Sequence, residues 1–333
     1  MKPPLLLGAA AALAALAAFA PAPAAAPGQP VLSFPLACQP GATCEVQHYV
    51  DRDPGPGTRD YRCGLQTYEK HTGIDIRLLD MAAQRRGVAV LAAAPGKVTR
   101  LRDGVTDISI RAPGAPSVAN QECGNGVVVD HGSGWETQYC HMARGSISVK
   151  VGDAVTVGAP LGKVGLSGNT EFPHLHLTVR HKGQVVDPFA PDPAKPQSCG
   201  GQTSLWSAQA LAKMPYRAGA VLNAGFTGAQ ITMDQVEDGG VAPATAASPY
   251  LVAYVRGIAL LPGDEIELDL KGPDGKSLAQ SRRPPLERWR AQDLMYVGKR
   301  RPAMGWPKGQ YVADYRVWRA GKVAISRRIT LNL

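Results

Sequence analysis

The chain has 333 residues, is 44% hydrophobic and carries a formal net charge of +9, of which +2 falls in residues 1–200 and +7 in residues 201–333. This length suggests two domains, and the composition is that of a folded protein, so disorder throughout is excluded. With 37 glycines, 28 prolines and only 6% aromatic residues, the pattern points to many short strands joined by turns.

Taken in chain order, residues 1–26 read as a signal peptide. Lys2 supplies the positive start, Leu5–Ala20 the apolar run, and Pro21–Ala26 a small-residue cleavage region, with cleavage expected after Ala24. No later stretch is long and apolar enough to cross a bilayer. An exported product, periplasmic or extracellular, is expected. Residues 27–63 read as an irregular, cysteine-containing N-terminal segment with a turn at Asp51–Gly57. Residues 64–190 alternate short strands and glycine turns, with strands expected at Val88–Ala94, Val127–Asp130, Glu136–His141 and Leu175–Val179. Only Leu78–Arg86 has helical character there. Residues 191–219 read as a linker with a helix-like run at Leu205–Lys213. In residues 220–333, Thr245–Arg256, Glu265–Leu270, Tyr311–Trp318 and Val323–Leu331 alternate around turns, predicting an immunoglobulin-like β-sandwich. That module is basic: Arg282, Arg283, Arg288, Arg290, Lys299, Arg300 and Arg301 crowd around Trp289.

All six cysteines lie beyond the leader, and none forms a C-x-x-C pair. In an exported chain an even count reads as disulfides. The expected pairs are Cys38–Cys44 in a short loop, Cys123–Cys140 across a hairpin, and Cys63–Cys199 by remainder.

The seven histidines are not scattered. His71-Thr72-Gly73-Ile74-Asp75 places a histidine and a carboxylate four apart, and Gly73, Ile74 and Ile76 disfavour a helix. In extended backbone, positions separated by an even number share a face, so His71 and Asp75 can reach one ion. His174 and His176 share a strand face by the same arithmetic, with Leu175 turned to the core and Pro173 enforcing extension. Tyr139 and His141 share a face in turn. One acid with several imidazoles is a zinc donor set that leaves a position open for water, as a hydrolase requires.

These motifs resemble the signature of the lysostaphin-like, LytM-type zinc metallopeptidases. The similarity continues through Ala92–Val98, Gly124–Gly132, Thr137–Met142, Val151–Gly158, Leu166–Thr170 and Val186–Pro188, and so covers roughly residues 64–190. The resemblance implies a compact, largely antiparallel β fold that binds one Zn²⁺ through His71, Asp75 and His176. It implies His141 and His174 as catalytic histidines, and peptide bonds of bacterial peptidoglycan as substrate. Three departures stand out: Phe172 where glycine is common, Cys140 before His141, and a longer insertion at residues 99–123. Phe172 and the insertion bear on the shape of the groove.

Other histidines and acids read as structural. His131 is expected to be a turn residue or a partner of a ligand, and His48 and His181 to be solvated. Asp130 and Asp187 are expected at turns and strand ends. Tyr139 reads equally as packing or as an oxyanion donor, and Arg180 as a solvated strand residue. No G-x-S-x-G elbow or phosphate loop is present, and nucleic acid is not an expected partner. Two rivals to the enzyme remain at this stage: a non-catalytic wall-binding or activator protein on the same scaffold, and an adhesin using the β module. The basic module itself would hold the protein on anionic envelope polymers or lipid head groups.

Overall fold

A computed structural model describes residues 28–192, 199–200 and 203–333. The proposed leader lies outside these residues, as does part of the proposed linker. The first half contains strands β1 (Cys44–His48) and β2 (Ile74–Leu78), helix α1 (Met81–Arg86), and strands β3 (Ala89–Leu91), β4 (Gly96–Arg102), β5 (Asn125–Gly132), β6 (Trp135–Met142), β7 (Ala154–Val155), β8 (Pro160–Lys163), β9 (His174–His181) and β10 (Gln184–Val186). Next come α2 (Ala208–Lys213), β11 (Ala220–Thr227) and α3 (Met233–Asp238). The chain ends with β12 (Tyr250–Leu260), β13 (Glu265–Lys271), β14 (Ser277–Arg282), β15 (Arg290–Arg300), β16 (Gln310–Arg319) and β17 (Lys322–Asn332).

The protein is mainly β. Its first half is an antiparallel sheet in the order β1-β2-β9-β6-β5-β4-β7, with β10 on β9 and a separate β3-β8 pair. Leu175, Leu177 and Val179 of β9, Ile74 and Ile76 of β2, and Tyr139 of β6 point into one buried core. The alternating partners on these strands are polar and face the other way, so the period-two pattern separates a packing face from a chemical face. The second half has two sheets, β11-β12-β15 and β14-β13-β16-β17, which enclose Leu251, Val255, Leu268, Leu270, Tyr311 and Tyr315.

Several expectations are corrected by tertiary context. Residues 27–63 are more regular than the sequence suggested: β1 forms an edge of the large sheet, and Leu32, Phe34, Leu36 and Tyr49 join its core. The expected strand Val88–Ala94 pairs only as β3, and the expected helix Leu78–Arg86 starts at Met81, where Asp80 caps it by accepting from the Ala83 amide. The three expected disulfides, Cys38–Cys44, Cys63–Cys199 and Cys123–Cys140, are all present.

The two halves meet through buried charge. Arg77 on β2 and Arg256 on β12 both donate to Glu237 of α3, and both arginines have 0% exposure. Arg77 also donates to Gln47 Oε1 at 3.1 Å and to Gln292 Oε1 at 3.3 Å, with the Phe172 ring 3.9 Å from its guanidinium carbon. Arg256 donates to Asn223 Oδ1 at 2.8 Å and to the Leu79 carbonyl.

Candidate metal centre

Antiparallel pairing of β2 with β9 sets Asp75 opposite His176 and Arg77 opposite His174. The loop before β2 brings His71 back over Asp75, at 3.2 Å from Nε2 to Oδ1. Gly73 allows this approach, since a Cβ there would lie 2.6 Å from His176 Nε2 and from the Leu177 carbonyl oxygen. His71 Nε2, Asp75 Oδ1 and His176 Nδ1 converge: one ligand atom from each residue lies within 4.8 Å of the others. All three residues are largely withdrawn from solvent.

The remaining ring nitrogens explain why these lone pairs face inward. His71 Nδ1 donates to the Tyr49 carbonyl at 2.6 Å, and His176 Nε2 donates to Thr178 Oγ1 at 3.0 Å. His141 Nδ1 donates to the Ser167 carbonyl at 2.8 Å, and His174 Nδ1 to the Phe172 carbonyl at 2.9 Å. A protein oxygen thus selects the tautomer of each imidazole and leaves its other nitrogen as an acceptor toward the centre. His174 Nε2 lies 3.4 Å from Asp75 Oδ1, and the rings of His141 and His174 are 4.6 Å apart.

Electrostatics reinforce the arrangement. Burial, with His174 and His176 adding to it, holds His141 well below the usual histidine range. Burial likewise lowers His176, against the opposing pull of Asp75. Burial alone would raise Asp75, but the surrounding imidazoles outweigh it and keep the carboxyl ionised. Burial would lower His71 too, but Asp75 outweighs it and raises this histidine. The site therefore combines several imidazoles with one buried carboxylate, a donor set suited to a divalent metal of intermediate softness.

Two side chains reach the site by breaking strand alternation. Tyr139 and His141 do not share a face. Tyr139 is buried in the core and accepts from the Ala93 amide at 2.8 Å, so its role is packing. A bulge on β6 and a positive φ of 60° at His141 rotate the histidine to the opposite side. His48 is not solvated either. A register shift on β1 turns it to the chemical face, where it is 5% exposed and Nδ1 donates to Asp75 Oδ2 at 2.9 Å. Sequence reasoning missed this partner because it read residues 27–63 as irregular and expected His48 to be solvated in a loop.

The other candidates separate cleanly. His131 bridges the Pro95 carbonyl and Thr137 Oγ1, away from the centre. His181 stacks on Trp135 at 4.3 Å, so it is not simply solvated. Asp130 accepts from the Gly132 amide in its turn, and Asp187 from Phe189 at the end of β10. Arg180 donates to Gln138 Oε1 at 2.7 Å, and both residues line an open groove of about 400 Å³. His71, His141, His176, Thr178 and the Cys123–Cys140 bridge line the same groove.

The site is thus a buried two-histidine, one-carboxylate cluster on an antiparallel β sheet, able to hold a metal ion beside an open groove. Residues 69–188 match Peptidase family M23, and over this segment the chain is similar to LytM-type peptidase domains. It is 32% identical over 145 residues to the DD-carboxypeptidase/endopeptidase Mpg of Neisseria meningitidis serogroup B, covering 44% of this chain and 28% of that one. It is 38% identical over 64 residues to the peptidoglycan DD-endopeptidase ShyA of Vibrio cholerae serotype O1, covering 19% of this chain and 14% of that one. The chain thus matches only a minor part of the length of these curated relatives. Among solved structures, the catalytic domain of the antimicrobial peptidase lysostaphin from Staphylococcus simulans aligns at 22% identity with a TM-score of 0.28. That alignment covers 42% of this chain and 85% of that one.

Proposed function

We propose that this chain is an exported, zinc-dependent endopeptidase that hydrolyses peptide bonds in bacterial peptidoglycan. The observation that carries the proposal is the convergence of His71 Nε2, Asp75 Oδ1 and His176 Nδ1, with the far nitrogen of each imidazole tied to a protein oxygen. These three residues would hold the metal. Zinc in such a site supplies Lewis-acid chemistry, acidifying a water to a pKa of about 7 and polarising the scissile carbonyl.

The chain's own residues provide the rest. His141 and His174, anchored through Nδ1, present Nε2 to the reacting centre. Neutral His141 suits proton acceptance from the nucleophile and its return to the leaving amine. His174 Nε2 would face the developing oxyanion. His48 orients the Asp75 carboxylate through its second oxygen. The groove floor formed by Gln138, Thr178 and Arg180 would position the peptide. Three disulfides suit an oxidising compartment and support export.

The basic C-terminal module would add electrostatic retention on anionic envelope polymers or lipid head groups. This role rests on Arg288, Lys299, Arg300 and Arg301, which stay exposed. Arg282 pairs with Glu265, Arg283 and Arg290 pair with Asp293, and Trp289 turns inward toward His48 at 6.0 Å.

The test is metal analysis of the purified protein together with digestion of isolated cell walls. Chelation should abolish digestion and added zinc should restore it, while His71→Ala, Asp75→Ala and His176→Ala should each lose metal and activity. Full digestion by metal-free protein would defeat the proposal.

A further inference from the structure

The open groove does not run the length of the sheet. Its lining follows β9 and β6 from Arg180 and Gln138, past Thr178, to His176 and His141. Asp75 and His176 form one cross-strand pair, and Arg77 and His174 form the next but one. At this second pair the path ends. Arg77 is completely buried, held between the Phe172 ring on one side and Gln47, Gln292 and Glu237 on the others. Gln292 and Glu237 belong to the C-terminal module.

A second cavity, of about 390 Å³, lies beyond, and Phe172 and Gln292 line it together with Met81, Arg111 and Glu237. The two cavities share no lining residue. Trp289, from the loop entering β15, closes the flank by packing against His48. The chemical face of the sheet is thus exposed on one side of the centre and roofed on the other.

Resting on the peptidase reading above, we propose that the C-terminal module, through Phe172 and Arg77, forms an end wall of the substrate groove and makes the site length-selective. Two positions along a strand span roughly 6.6 Å, at about 3.3 Å per extended residue. A peptide therefore enters from the Arg180 side, and only about two of its residues fit beyond the scissile bond on the wall side. The preferred substrate is a peptide cut close to one of its ends or branch points. A bond in the middle of a long extended bridge is excluded. Phe172 is specific to this arrangement because its ring covers the Arg77 guanidinium while its backbone carbonyl holds His174.

The experiment uses the full-length, zinc-loaded protein. The shortest peptidoglycan fragment that it cleaves is extended residue by residue, first on the amino side of the scissile bond and then on the carboxyl side. One series should keep its kcat/KM. The other should fall by about tenfold or more once the extension exceeds roughly two residues, since misplacement by about an ångström already costs 10²-fold. Phe172→Ala and, separately, Gln292→Ala should raise the ratio of long-substrate to short-substrate kcat/KM, with metal content confirming that each variant is folded. Equal tolerance of extension on both sides by the wild-type protein would overturn the wall while leaving the peptidase reading intact. Failure of the zinc-loaded protein to cleave any fragment would overturn the peptidase reading and the wall with it.

Discussion

Replacing Glu237 by alanine removes the carboxylate to which two buried guanidinium groups donate. Arg77 and Arg256 are both at 0% exposure and both donate to Glu237 Oε2. After the substitution, Arg77 would keep only Gln47, Gln292 and the Phe172 ring, and Arg256 only Asn223 and the Leu79 carbonyl. All of these are neutral. Burial already pushes Arg77 down to about 9, with Glu237 as the main opposing influence. Removing one partner of a buried pair costs about 3–5 kcal/mol, because an uncompensated charge remains. The cation shared with Arg256 raises the cost, while the remaining acceptors and the partial exposure of Glu237, 19% at its side chain, lower it. The expected loss is therefore about 4 kcal/mol, against a total stability of about 5–15 kcal/mol for a typical protein. Helix propensity does not account for it, since alanine is the best helix former and Glu237 sits near the end of α3. Denaturant unfolding followed by tryptophan fluorescence measures the loss, and limited proteolysis shows whether the two halves separate first. A loss below about 1 kcal/mol, the range of an exposed ion pair, would refute the reasoning.

The other predictions concern the centre and its surroundings. His48→Ala should weaken zinc binding by about 10–100-fold, as loss of a partner that orients a ligand does, and competition with a chromogenic chelator reads this directly. His141→Ala and His174→Ala should keep their metal yet lose about 10²–10⁴ in turnover; either variant purifying without metal would mean that the ligands are misassigned. Asp187 is raised by burial from 3.8 to about 6. A carboxyl with a raised folded-state pKa binds its proton more tightly in the folded protein, so stability falls as pH rises between these values, by up to about 3 kcal/mol. Asp187→Asn should remove this part of the pH dependence, gaining on the wild type as pH rises from 3.8 to about 6 in unfolding titrations. A constant difference between the two proteins across that range would show that Asp187 does not carry it.

The strand content and the paired motifs were legible in the sequence because they depend on local rules. Period-two alternation places Leu175 in the core with His174 and His176 on the opposite face. Pro173 and the β-branched residues around Asp75 exclude a helix, so an H-x-x-x-D and an H-x-H could be read as one donor set before any contact was known. Cysteine spacing about the Asp130–Gly134 turn likewise suggested the Cys123–Cys140 bridge.

What the sequence could not reveal depends on departures from those rules and on contacts between distant segments. The bulge in β6 turns His141 away from Tyr139, and the register shift in β1 turns His48 toward Asp75. A bulge changes the facing of one residue without altering the hydrophobic pattern around it, so alternation places His141 wrongly, while His48 was hidden by reading its segment as irregular. Glu237, Trp289 and Gln292 lie 61, 113 and 116 residues beyond His176 and look like parts of a separate basic module. Only docking of the two halves makes them neighbours of the centre. Burying Arg77 at that junction requires a carboxylate and neutral acceptors in one place, and no single segment of the chain supplies them all.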